Sequence, residues 1–430
     1  MAQAFARLLY TVLFYAAQPL VWLRLFLRGR KQPEYRQHIG ERYGFYAQRA
    51  PGKLIWLHAV SVGETRAAEP LIEALLQRHP DHSLLLTHMT PTGRDTGRMY
   101  LDRHPGRVLQ AYLPYDLPDA AARFLGHFRP AFGLFMETEL WPNIIATAKA
   151  RQIPLGLVNA RLSSRSQRGY QRLRALAQPA FAGLDVVAAQ TDDDAARIRS
   201  LGANRVSVTG NLKFDVTPDP AKLARGLNWR AEIGARPVWL AASTRDGEEA
   251  LILDTLGEIE RLNLLPNPLL ILVPRHPQRF EEVAGLVRAR GMKFKRRSLE
   301  EFPEAGTQVW LGDSMGEMAS YYAAADLALI GGSLLPFGGQ NLIEAAACGC
   351  PVVVGPHTFN FAQASDDAVA CGAASRIGGS EELAGCVQAI LGNPEHRINM
   401  KEKAIAFSHT HQGATERTMA LLEPLLKRSS

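Results

Sequence analysis

Residues 333–356 read SLLPFGGQNLIEAAACGCPVVVGP, directly after the apolar run LALIGG. An apolar strand, a glycine pair (Gly338, Gly339), a helical stretch carrying Asn341 and Glu344, a turn at Gly349 and a second apolar strand make one βαβ unit. Glycines let a backbone approach a ligand closely, and a helix start offers unpaired N–H groups to a phosphate. A glutamate about one turn further in can take the two hydroxyls of a ribose. Two readings stand: an ordinary βαβ turn with packing glycines, or a nucleotide-sugar donor site, which implies a glycosyltransferase.

Working outward, the same alternation fills the chain. KLIWLHAV, SLLLTHM, RVLQAYLP, AFGLFME, PLGLVNA, DVVAAQ and VSVTG form one set of apolar strands. PVWLAAST, LLILVPRH, QVWLGD, LALIGGS and PVVVGP form a second. Near-continuous apolar runs separated by helical stretches predict buried parallel sheets. A chain of 430 residues suits two domains. The proline-bearing segment DVTPDPAKLARGLN reads as the linker between them. The expected organisation is an anchor over 1–30, an α/β domain over 31–215, a second over 216–405, and a C-terminal helix with a basic tail over 406–430. Two doubly wound domains facing across a cleft, with ligands at the strands' carboxyl ends, is the architecture implied.

The run from Leu8 to Trp22 carries no charge, and Arg24, Arg28, Arg30 and Lys31 follow it. Its length suits an uncleaved membrane anchor, spanning or embedded, and the cations after it place the rest of the chain in the cytoplasm. The net charge of +7 suits an anionic partner. No recognised nucleic-acid-binding signature is present, and a membrane surface or phosphorylated lipid fits better. The four cysteines suggest neither a disulfide framework nor a zinc site, and no metal-ligand pattern appears.

Several strand ends carry candidate chemistry. In HAVSVGE, Ser61 and Glu64 have capping-box spacing, yet Glu64 also sits where a general base would receive a hydroxyl proton, with the helix start keeping it ionised. In METELWPN, Glu137 and Glu139 either act as helix N-terminal acids or balance positive charge developing on a sugar. Lys213 in TGNLKFD is a surface lysine or neutralises an anion. Arg275 in PRHPQRF, just after Pro274, is placed for a phosphate. The loop GDSMGEM could cover a base through its backbone. TDDDAARI reads as a helix cap, with Thr191 the N-cap and acids in the first turn.

HAVSVGE, THMTPTG, METELWPN, TGNLKFD, PRHPQRF and GGQNLIEAAACGCPV occur in one order across nearly the whole chain. Together they resemble the Kdo transferases, which attach 3-deoxy-D-manno-oct-2-ulosonic acid to the lipid A precursor. The resemblance implies a GT-B fold, the donor CMP-Kdo, inversion, no cofactor or metal, and work at the cytoplasmic face of the inner membrane beside its phospholipid. It makes Glu64 the general base, and Glu139 and Lys213 transition-state stabilisers. CMP contacts fall on Pro274, Arg275, Met315, Gly316, Glu317, Asn341, Leu342, Ile343 and Glu344. Arg94 and Glu137 are assigned to acceptor or Kdo binding. The alternatives are a GT-B enzyme using a UDP-sugar, and a non-catalytic membrane-associated lipid-binding protein.

Overall fold

Apolar alternation through β1 (Lys53–His58) sets the first half of the molecule: Leu54 and Trp56 enter one core, Ile55 and Leu57 the core on the opposite face. A strand buried on both faces needs helices on both. The computed structural model describes residues 2–49 and 52–428, which divide into two compact units. The first comprises residues up to Val216 together with the segment from Gln412, the second Thr217–His411.

The first unit holds β1, β2 (His82–His88), β3 (Val108–Tyr112), β4 (Phe132–Met136), β5 (Leu155–Ala160), β6 (Val186–Ala189) and β7 (Val206–Val208). All pairings are parallel, in the order β3-β2-β1-β4-β5-β6-β7. The order reverses between β1 and β4. At such a switch point the connecting loops diverge and leave a crevice beyond the strands' carboxyl ends. Trp56, Phe124 and Phe135 pack edge to face at the centre of one core. The other is closed by the last helix, Ala414–Arg428, whose Met419, Leu422, Leu425 and Leu426 belong to the same buried cluster as Ile55, Leu57, Leu84, Leu86 and Leu134 of β1, β2 and β4.

The second unit holds β8 (Val238–Thr244), β9 (Leu269–Pro274), β10 (Phe294–Arg296), β11 (Val309–Leu311), β12 (Leu327–Ile330), β13 (Val352–Val354) and β14 (Ala374–Arg376). Their order is β10-β11-β9-β8-β12-β13-β14, again parallel, with the switch between β8 and β12. Sequence reading missed β10 and β14. Both are three-residue edge strands with partly exposed or basic side chains, so neither carries the apolar run of a central strand.

Three further expectations are corrected. The N-terminal anchor is not one helix: Ala2–Ala16 and Gln18–Lys31 are separate, bent by 48° at a break before Pro19. Among the described residues no single helix is long and apolar enough to cross a membrane, although the bent pair passes by length and composition. The segment read as a linker does hold the boundary between the units, after Val216, but most of it is the helix Pro220–Ile233, started by the Asp219 carboxylate accepting from the Ala221 N–H at 2.9 Å. Proline at the first helical position lacks only an N–H that would be unpaired anyway, so it starts this helix rather than interrupting it. The helical stretch expected from Pro394 is two helices, Pro394–Thr410 in the second unit and Ala414–Arg428 in the first. Ser429 and Ser430 of the expected basic tail lie outside the described residues, as does Met1.

Candidate active site and family

The first unit gathers its carboxylates at the switch point. The helix Val62–Ala67 opens with Ser61 as N-cap, and Ser61 Oγ accepts from the Glu64 N–H at 3.4 Å. The Glu64 carboxylate turns back, accepting from the Val60 N–H at 2.8 Å and from Ser61 Oγ–H at 3.0 Å. The capping role is therefore real. The expectation that the helix start keeps Glu64 ionised is not met. Burial pushes its carboxyl up to about 7, with the negative charges of Glu137 and Glu139 adding to the shift and the Val60 and Ser61 bonds opposing it. Desolvation of a carboxylate outweighs one backbone N–H and one hydroxyl.

Glu137 follows the last residue of β4, and its N–H continues the ladder to Val158 O at 3.0 Å. Its φ of 57° is left-handed, a conformation that costs a non-glycine residue about 1 kcal/mol or more. Its carboxylate is held by Lys213 Nζ at 3.1 Å, with Arg161 Nε at 3.9 Å. Burial first, and then Glu137, raise the pKa of Glu139. Neither acid lies in the first turn of the following helix, which begins at Pro142. Four of the expected residues, Glu64, Glu137, Glu139 and Lys213, thus share one electrostatic neighbourhood. Arg161 belongs with them and was missed, since a basic residue after a strand is usually a solvated one. Arg94 is committed elsewhere: its guanidinium pairs with Glu41 and lies over the Tyr112 ring.

The second unit lines the carboxyl ends of β8, β9, β11 and β12. Pro274 ends β9, and the Arg275 N–H donates to Thr244 O at 3.0 Å. Met315 and Gly316 are exposed, Gly316 with a φ of 79°. The Glu317 side chain is already taken. It accepts from Arg225 Nη1 at 2.7 Å, Arg297 Nη2 at 3.0 Å and Ser314 Oγ at 2.5 Å. Burial pushes its pKa up, but these partners outweigh it and hold the carboxyl below its ordinary value. The helix expected to carry Asn341 begins only at Ile343, and Asn341 Oδ1 accepts from the Ile343 N–H at 3.1 Å. Leu342 and Ile343 are buried and Glu344 half-buried.

The residue that organises this glycine loop is Glu248, which sequence reading passed over. It is fully buried and takes three backbone N–H groups: Arg245 at 2.8 Å, Gly332 at 2.6 Å and Leu334 at 3.0 Å. Beside it the buried Glu249 accepts from Thr244 Oγ1 at 2.7 Å and Arg279 Nη1 at 2.6 Å. Gly331 has no room for a side chain, since a Cβ there would stand 2.4 Å from Ser243 O.

Residues 37–216 match the family described as 3-deoxy-D-manno-octulosonic-acid transferase (kdotransferase), and residues 272–407 match glycosyl transferases group 1. A 3-deoxy-D-manno-octulosonic acid transferase of Bordetella pertussis is 46% identical over 425 residues, covering 97% of this chain and 99% of the relative. The chain belongs to this transferase family. The Haemophilus influenzae transferase is 38% identical, covering 98% of this chain and 99% of its own. Among solved structures, one described as a putative UDP-N-acetylglucosamine 2-epimerase from Listeria monocytogenes is similar in fold. It has a TM-score of 0.58 at 15% identity and covers 88% of this chain and 98% of its own. That likeness fits the GT-B architecture of two Rossmann-like parallel sheets. The chain is therefore a Kdo-transferring glycosyltransferase of GT-B fold.

Proposed function

We propose that this enzyme transfers Kdo from CMP-Kdo to the lipid A precursor, lipid IVA, with inversion at the anomeric carbon. The observation that carries the reading is the group Glu64, Glu137, Glu139 and Lys213 at the switch point of the first unit, in a chain of this family. A general base works best with a pKa near the operating pH, and Glu64 is tuned to about 7. Glu64 takes the proton of the attacking acceptor hydroxyl. Glu139 and Glu137 lie where negative charge offsets positive charge developing on the sugar, and Lys213 fixes Glu137. CMP leaves as an anion and needs no proton, so one base suffices. The donor is assigned to Pro274, Arg275, Met315–Glu317 and Asn341–Glu344, with Glu317 contributing through its backbone. Incubating enzyme with CMP-Kdo and lipid IVA and weighing the products tests the reading. Competition by UDP but not CMP would overturn the donor, and retained anomeric configuration would overturn inversion.

Arg275→Ala is expected to raise the Michaelis constant for CMP-Kdo by roughly tenfold to a hundredfold, the worth of a charge-assisted bond to phosphate, about 1.5–3 kcal/mol. Unchanged donor saturation and unchanged turnover would remove Arg275 from the site.

The N-terminal helices support work at the inner membrane's cytoplasmic face. Leu25, with Phe14 and Val21, packs on Tyr115, Leu117 and Ala120 of the first unit, while Leu8, Val12, Leu13, Leu20 and Leu23 stay about half exposed or more. A docked bent pair with an apolar outer face and arginines beyond it suits insertion into one leaflet. Because this pair also covers part of the first unit, substitution probes it better than deletion. Leu8→Asp with Val12→Asp and Leu23→Asp is expected to move the enzyme from membrane pellet to supernatant with its melting temperature unchanged. A triple variant that stays in the pellet would place the membrane contact elsewhere.

A further inference from the structure

The stretch TGNLKFD (209–215) carries one residue of the proposed site, Lys213. Lys213 stands on a four-residue 3-10 turn, Leu212–Asp215. So short a turn has little rigidity of its own. Its fixing points are external. The Leu212 N–H donates to Oδ1 of the buried Asn159 at 3.0 Å, and Asn211 Oδ1 accepts from the Lys213 N–H at 3.0 Å. At the far end, Asp215 reaches some two hundred residues along the chain. Its Oδ1 accepts from the Gly413 N–H at 2.7 Å and its Oδ2 from the Thr415 N–H at 2.5 Å. The same returning segment grips the near end, where Arg417 Nε donates to Thr209 O at 2.8 Å. Gly210, with a φ of 88°, leaves room for that guanidinium, which would lie 2.9 Å from a Cβ.

We propose that Asp215 is a positioning residue for Kdo transfer: by tying residues 413–415 to the 3-10 turn, its carboxylate sets where Lys213 presents its ammonium to Glu137. The proposal rests on Lys213 acting in the site proposed above. The chain leaves the first unit after Val216 and rejoins it at Gln412. Asp215 therefore pins the outgoing and returning legs beside one catalytic lysine. The last helix is then more than a lid on the core, since its first turn is the mount for that lysine. Misplacing a reacting group by about 1 Å can cost on the order of a hundredfold in rate.

Asp215→Asn keeps one accepting oxygen and turns an amide NH2 toward the other N–H, so one tie is lost. The test is a double-mutant cycle between Asp215→Asn and Lys213→Met, read as kcat and as both Michaelis constants. If Asp215 acts through Lys213, Asp215→Asn lowers kcat at least tenfold with both Michaelis constants within about twofold. In the Lys213→Met background it lowers kcat no further. Should Asp215→Asn fail to give a cooperative thermal melt, Arg417→Met cuts the companion tie and carries the same cycle. Losses that multiply across the cycle, Michaelis constants that rise with kcat unchanged, or a folded Asp215→Asn enzyme with full kcat overturn the proposal. Glu64→Gln in the same assay separates the two readings. A fully active Glu64→Gln enzyme sinks the proposed general base, while an inactive one beside a multiplicative Asp215–Lys213 cycle sinks the positioning role alone.

Discussion

Glu64→Gln is expected to lose Kdo transfer by on the order of a hundredfold or more and to gain stability in alkaline buffer. The two effects share one cause. In the unfolded chain a glutamate titrates near 4.5, whereas in the folded enzyme burial, with Glu137 adding to it, moves Glu64 to about 7. Between those values the native state holds the proton more tightly than the unfolded state. Stability therefore falls as pH rises from about 4.5 through 7, and below 4.5 the group is neutral in both states. Glutamine resembles the protonated form at every pH. It should match the parent in acid and exceed it above pH 7, by on the order of 2–3 kcal/mol. Thermal melts at pH 5 and pH 8 read the stability arm, and turnover reads the catalytic one. In the parent, kcat/KM should climb as pH rises through about 7, because the proposed base of the free enzyme must shed its proton before it can accept one. Normal turnover with no alkaline stabilisation would leave Glu64 as the capping partner of Ser61 and nothing more.

What the sequence made legible follows from where each signal originates. Central strands announce themselves because burial on both faces demands unbroken apolar runs, as in LLILV of β9, whose residues are all buried. The edge strands β10 and β14 lack that demand. The order of motifs was legible too, because each sits where a parallel strand ends. Hidden were the partners contributed by distant segments. Nothing in METELWPN says that Glu137 will meet Lys213 seventy-six residues on, or that Arg161 will flank it. Nothing around Arg94 says that Glu41 will claim its guanidinium. Charge state was equally hidden, since Glu64 looks like any acid at a helix start until its burial is known.

Glu248 shows the same blindness with the largest structural consequence. In STRDGEEA it reads as an acid in the first turn of the helix Glu248–Arg261, where such residues are common and solvated. In the fold it is 0% exposed, and its two oxygens receive the N–H groups of Arg245, Gly332 and Leu334. Burial raises its carboxyl above the ordinary value, and those bonds offset the rise only in part. Two of the three donors belong to the turn that leads into the proposed donor loop. Glu248→Ala leaves all three N–H groups buried and unpaired, and is expected to cost about 3–5 kcal/mol of stability. Glu248→Gln should fall between parent and alanine variant. Its oxygen can take the Arg245 and Gly332 N–H groups, but its NH2 then faces the Leu334 N–H, donor against donor. The expected order of melting temperature is parent, glutamine, alanine, and calorimetric affinity for CMP should follow it, since the proposed donor loop loses its internal template. An alanine variant that melts with the parent and binds CMP equally well would mean that the loop holds its shape without the carboxylate, with the glycines at 331 and 332 carrying the turn alone.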